Sequence, residues 1–77
     1  MQPTKVTMDQ WVEFEAVVDG GSFAQAAKKL HKSQSTISYA ISMMQTQLNT
    51  KLFEIHGRKA VLTDAGQKLR FRLSRLP

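Results

Sequence analysis

Residues 22–49 read SFAQAAKKLHKSQSTISYAISMMQTQLN, and this stretch divides into two short helices joined by a tight turn. Ser22 followed by Gln25 is a capping-box start: the hydroxyl can accept from free first-turn amides while the glutamine side chain reaches back. Phe23, Ala26, Ala27 and Leu30 then recur at helical spacing, and the two alanines leave room for another helix. The spacing predicts an end near Leu30, a turn at His31 and Lys32, and a second helix capped by Ser33 and running to about Asn49.

In that second helix Ile37, Ile41, Met44 and Leu48 fall on one stripe and form its core side. The opposite stripe carries Ser35, Ser38, Tyr39, Ser42 and Thr46: short hydroxyls around one aromatic ring, with no reason to be buried. Such a face can lie close against a flat polar surface and bond to phosphate oxygens or base edges. A polar surface helix could have the same composition. Its pairing with a preceding helix across a short turn is instead the helix-turn-helix pattern, whose second helix enters a DNA groove. No charged residue lies between Ser33 and Asn49. The helix's own attraction for phosphate therefore rests on its N-terminal amides, at Ser33, Gln34, Ser35 and Thr36.

Outward toward the N-terminus, Thr7 and Gln10 repeat the capping-box signature. Met8, Trp11, Phe14, Val17 and Val18 form an apolar stripe that ends at Gly20 and Gly21. Asp9, Glu13, Glu15 and Asp19 occupy the other sides, so this helix is expected to turn them to solvent or to a partner, away from DNA. Trp11 reads as a core aromatic rather than a stacking platform. Met1 to Val6 lacks periodicity and reads as a loose arm.

Toward the C-terminus, Lys51–Ile55 and Lys59–Leu62 are short, partly apolar runs separated by His56, Gly57 and Arg58, which predicts a small β-hairpin with Arg58 and Lys59 at or beside its tip. A tip arginine can enter the minor groove, where A·T tracts concentrate negative potential; the alternative is a plain surface arginine. Thr63 and Asp64 then open a helix with Leu62, Ala65, Leu69, Leu73 and Leu76 on one stripe and Lys68, Arg70, Arg72 and Arg75 around it. Taken alone, that basic amphipathic helix could also lie on a membrane.

The chain has 77 residues, too few for more than one small domain, so marginal stability and support from dimerisation are expected. It contains no cysteine, which excludes a disulfide framework or a cysteine-based zinc site and suits a reducing cytoplasm. There is no apolar run of membrane-spanning length and no signal-peptide pattern. The net charge of +5 is lopsided: residues 1–27 hold one basic and four acidic groups, residues 28–77 ten basic and two acidic. A surface of that kind attracts and orients a polyanion. Lys28, Lys29 and Lys32, clustered at the turn, could meet the DNA backbone or simply be solvated. An enzyme is disfavoured, because His31 and His56 fall in a turn and a hairpin tip with no paired acidic cluster and no phosphate-binding glycine loop.

The run FEAVVDGGSFAQAAKKLHKSQSTIS followed by LNTKLFEIHGRKAVLTDAG resembles the N-terminal DNA-binding domain of LysR-type transcriptional regulators, over Met8 to Leu76. The resemblance implies a mainly α winged helix-turn-helix fold: three helices, a β-hairpin wing and a C-terminal linker and dimerisation helix. It divides the chain into a DNA-binding domain, residues 1–62, and the start of the linker helix, residues 63–77. DNA contacts are implied at Gln34, Ser35, Thr36, Ser38 and Tyr39 and at the wing residue Arg58, and the reading of the residues themselves adds Ser33, Ser42 and Lys59 to the expected contact set. Gln34 is the best base reader of these, and Ser33, Ser35, Thr36 and Ser38 are phosphate clamps. Leu69, Leu73 and Leu76 become a homodimer interface. No cofactor or metal is implied. Full-length relatives assemble further, toward tetramers, and carry a C-terminal domain that senses a small molecule; the end at Pro77 suggests a piece of such a protein.

Several positions depart from the family pattern. Ser35 stands where proline is usual, Tyr39 where arginine is frequent, and Asn49 where a glycine usually precedes KLF. Ala40, Ser42, Met43, Met44 and Gln45 replace charged residues common along that helix.

Overall fold

A computed structural model describes residues 7–74, with side chains described as far as Arg72. The loose arm expected for Met1 to Val6 lies outside these residues. The order is α1 (Met8–Gly20), α2 (Phe23–Leu30), α3 (Gln34–Leu48), β1 (Phe53–His56), β2 (Lys59–Leu62) and α4 (Asp64–Ser74). This is the expected mainly helical winged arrangement.

Each element begins where its capping chemistry puts it. The Thr7 hydroxyl accepts from Gln10 N and the Gln10 side chain accepts from Thr7 N, a complete capping box for α1. Ser22 caps α2 by accepting from Gln25 N, the one half of the expected reciprocal pair that is formed. Gly21 closes α1 in the left-handed region at φ 77°. Gly20 is needed for a different reason, since a Cβ there would lie 2.8 Å from Gln25 Cβ.

Two non-glycine residues close helices in the same left-handed conformation, His31 at φ 57° and Asn49 at φ 51°. At each, the next two amides fold back: His31 N to Lys28 O and Lys32 N to Ala27 O, then Asn49 N to Thr46 O and Thr50 N to Gln45 O. Both are Schellman closures, where glycine is the usual residue and asparagine the usual substitute.

The core forms where the three helices meet the hairpin. Phe14, Val17, Ile37, Ile41, Met44 and Leu52 are its fully buried large side chains. Phe53 lies between Phe14 and Phe23, with ring centroids 5.4 and 6.3 Å away, and Trp11 packs edge-on to Phe14 at 5.9 Å. Met8, included in the expected stripe, is 75% exposed, whereas Ala40 is buried. Ala40 and Met44 are therefore framework residues.

Strands β1 and β2 pair antiparallel from Phe53↔Leu62 to His56↔Lys59, leaving Gly57 and Arg58 as a two-residue loop. Gly57 has φ 65° and Arg58 has no positive φ, the pattern of a type II′ turn, whose twist matches the strands. The hairpin is bolted to the helices at two places. Gln45 Oε1 on α3 accepts from Leu52 N and Phe53 N at 2.8 and 3.2 Å, and Ala60 N donates to Gly21 O at 2.9 Å. Thr63 joins the hairpin's far end to α4: its hydroxyl donates to Lys51 O and accepts from Gly66 N, while its amide donates to Leu52 O.

Candidate nucleic-acid interface

Ser33 is the N-cap of α3. Its hydroxyl accepts from Thr36 N at 3.1 Å and pairs with the Thr36 hydroxyl at 2.8 Å. The cap fixes where the helix begins, and the core stripe Ile37, Ile41 and Met44 fixes its rotation. Gln34, Ser35, Thr36, Tyr39 and Ser42 are then exposed and Ser38 is half-buried, so the whole expected polar face points out of the molecule. Tyr39 is the prominent feature, with 69% of its surface open.

Gln34, Ile55, Gly57, Arg58 and Lys59 line one groove together with the α1–α2 turn and the start of α2. The first turn of α3 and the hairpin tip thus border a single concave surface. A second, separate depression is lined by Ser42 and Thr46 of α3 and by Lys51 beyond its end. Ile55 was not singled out by its sequence; it lies opposite the buried Ala60 in the hairpin, yet is 56% exposed. The alternation buried Phe53, exposed Glu54 would have put Ile55 inside, but β1 is buried at Phe53 alone.

The basic residues sort into two groups. Lys29 pairs with Asp19 at 3.4 Å, Lys32 with Glu13 at 2.7 Å and Arg70 with Glu15 at 3.3 Å. Three acidic residues of α1 are thereby paired within the chain, Asp19 and Glu15 at the exposed surface and Glu13 buried. Among the described residues, Lys28, Lys51, Arg58, Lys59, Lys68 and Arg72 make no ion pair. Glu13 overturns its sequence reading outright: expected on the outward side of α1, it is 4% exposed. The reason is tertiary, since Lys32 comes from 19 residues away to meet it. That hydrogen bond is the main cause raising the lysine's pKa above the ordinary lysine value.

The expected interface leucines are placed unequally. Leu69 is half-buried and packs against the chain's own core. The Leu73 side chain and Leu76 lie outside the described residues. Among the described residues, no helix is long and apolar enough to cross a membrane.

Four helices, a β-hairpin wing and a capped, charge-free α3 with an exposed polar face define a winged helix-turn-helix DNA-binding domain. Residues 8–67 match the bacterial regulatory helix-turn-helix protein, lysR family, and the chain belongs to that family. It is 48% identical over 61 residues to a probable RuBisCO transcriptional regulator of Cyanidioschyzon merolae, covering 79% of this chain and 20% of that protein. It is 37% identical over 64 residues to the RuBisCO operon transcriptional regulator of Allochromatium vinosum, covering 83% and 21%. The chain therefore spans about a fifth of the length of these curated relatives. Among solved structures, the CbnR_DBD-DNA complex superposes with a TM-score of 0.84 at 33% identity, covering 90% of this chain and 79% of that one. The OxyR C206S mutant of Corynebacterium glutamicum gives 0.84 at 34%, covering 95% and 23%.

Proposed function

We propose that this chain reads double-stranded DNA with α3 in the major groove and the hairpin tip at the adjacent minor groove. The observation that carries the reading is the shared groove, which puts Gln34 at the start of α3 on the same concave surface as Arg58 and Lys59. Gln34 is the base reader: its amide offers a donor and an acceptor to an adenine edge. Ser33, Ser35, Thr36, Ser38 and Ser42 hold phosphates with their hydroxyls and with the first-turn amides. The Tyr39 ring meets a thymine methyl or a phosphate, and Arg58 enters the minor groove with Lys59 on the flanking backbone. No bond in the substrate is made or broken. Binding derives from counterion release by the unpaired cations and specificity from the uncharged helix face.

The domain proper covers residues 1–62, and the helix that follows is the start of a linker whose Leu69, Leu73 and Leu76 meet a second copy. Two copies would read two related half-sites and place the protein among dimeric or tetrameric cytoplasmic regulators of transcription. A small-molecule effector would act on the remainder of a longer protein.

The test is fluorescence anisotropy of a random-sequence duplex across a salt series. Wild type should bind with log affinity falling against log salt by about 0.9 per phosphate contacted. Ser38→Glu should lower affinity roughly tenfold or more by setting a carboxylate against phosphate, with circular dichroism unchanged. A Ser38→Glu chain that binds like wild type would take α3 out of the interface.

A further inference from the structure

We infer that Glu13 and Lys32 are a positioning pair for DNA recognition, one that sets the aim of the first turn of α3 and withholds the Lys32 charge from phosphate. The inference rests on the DNA reading above and goes beyond it by removing one cation from the contact surface and adding a buried carboxylate behind it.

Lys32 is the single residue between the left-handed closure at His31 and the Ser33 cap of α3. Its backbone amide is committed to Ala27 O at 2.9 Å, and its ammonium to Glu13 Oε2 at 2.7 Å. The turn is thus held at both ends of one residue, to α2 through the backbone and to α1 through the side chain. Glu13 sits in the middle of α1 and has core neighbours at the next helical positions, Ala16 and Val17. It cannot swing out with the lysine, so the pair pins the turn to the core.

A buried carboxylate needs a partner, and the net stability such a pair adds is small after desolvation, so the role inferred for this one is to select one arrangement among several. The arrangement at stake is where α3 begins. Ser33 and Gln34 follow Lys32 directly, so a shift of the turn moves the cap amides and the base-reading amide together. With the Lys32 ammonium paired to the buried Glu13, although the lysine side chain itself stays 36% exposed, phosphate attraction near the turn falls to Lys28, which makes no ion pair among the described residues.

The experiment compares wild type with the double variant Glu13→Leu/Lys32→Met and with Glu13→Gln, using a random duplex and a duplex selected by the wild-type chain from a random pool. In the double variant the salt slope on random DNA should be unchanged and affinity there should stay within about twofold. Preference for the selected duplex should fall about tenfold or more. Glu13→Gln keeps an acceptor of the same shape and should keep the preference. If the leucine and methionine pack too poorly to fold, Glu13→Gln/Lys32→Met removes the bond without leaving a buried charge and should show the same loss.

Undiminished preference in the folded double variant would overturn the inference and leave the pair a structural tie. A slope shallower by about 0.9 would overturn it in another way, by making Lys32 a phosphate contact. Loss of preference in Glu13→Gln would also overturn it, because charge rather than the bond would then be acting. Wild type that binds neither duplex at low salt would instead sink the DNA reading, and this inference with it.

Discussion

Asn49 shows how one residue can depart from a family pattern and keep the geometry the pattern served. At φ 51° it closes α3 where a glycine would meet no steric penalty. Asn49→Gly should therefore be neutral or stabilise by up to about 1 kcal/mol, and Asn49→Val should cost about 1–2 kcal/mol, both read from urea midpoints. Gly66 is the opposite case, a glycine required by space. A Cβ there would lie 2.4 Å from Leu52 O and 2.8 Å from Leu62 Cδ2, so Gly66→Ala must push α4 off the hairpin, with an expected loss of about 1–3 kcal/mol. At the wing, Arg58→Ala should weaken binding most on A·T-rich duplexes. An equal loss on every sequence would make Arg58 a general phosphate contact.

At the scale of elements, Gln45 ties α3 to the hairpin by satisfying two backbone amides with one side-chain oxygen. Gln45→Ala leaves both amides short of a partner in a part-buried site and should cost about 1–3 kcal/mol in thermal unfolding; an unchanged melting curve would mean that water replaces the glutamine. The helices themselves were legible in the sequence because their caps are local. Thr7 with Gln10, Ser22 with Gln25 and Ser33 with Thr36 lie within one turn of each other, and the Ile37, Ile41, Met44 stripe repeats at helical period. The hairpin was legible from Gly57 between two apolar runs, with boundaries one or two residues off. Glu13 was not legible, because a carboxylate beside an apolar stripe looks solvated until its distant partner is known. The apolar residues three and four places beyond it, Ala16 and Val17, were the available hint. Gln45 was hidden likewise: its acceptors' partners lie across a turn, and only folding brings them together. The outward face of α3 was readable from its hydroxyls, whereas the groove it shares with Ile55 depends on how far the hairpin projects.

For the molecule as a whole, the Glu13–Lys32 pair sets an alkaline limit. The hydrogen bond to Glu13 is the first cause of the raised Lys32 pKa, with attraction from Glu13 and Asp9 adding to it and burial opposing. A folded-state pKa above the unfolded value means that the stabilisation is fully present below the unfolded lysine pKa, near 10.5. It is lost as pH rises through the higher folded value. Wild type should therefore lose melting temperature above about pH 10 more steeply than Glu13→Leu/Lys32→Met, and parallel curves would show that the pair has no such role.

The bolting of the hairpin to the helices has a metrical consequence. Because Gln45 fixes β1 to α3 and Gly21 fixes β2 to the α1–α2 turn, the span from Gln34 to Arg58 is a set length. On the proposed reading, with α3 and the hairpin tip in neighbouring grooves, the two would act as the jaws of a caliper. A duplex whose grooves match the opening would be gripped without distortion, and one whose twist or groove width differs would itself have to deform. That cost falls on the nucleic acid, so base steps the protein never touches would enter the choice of target.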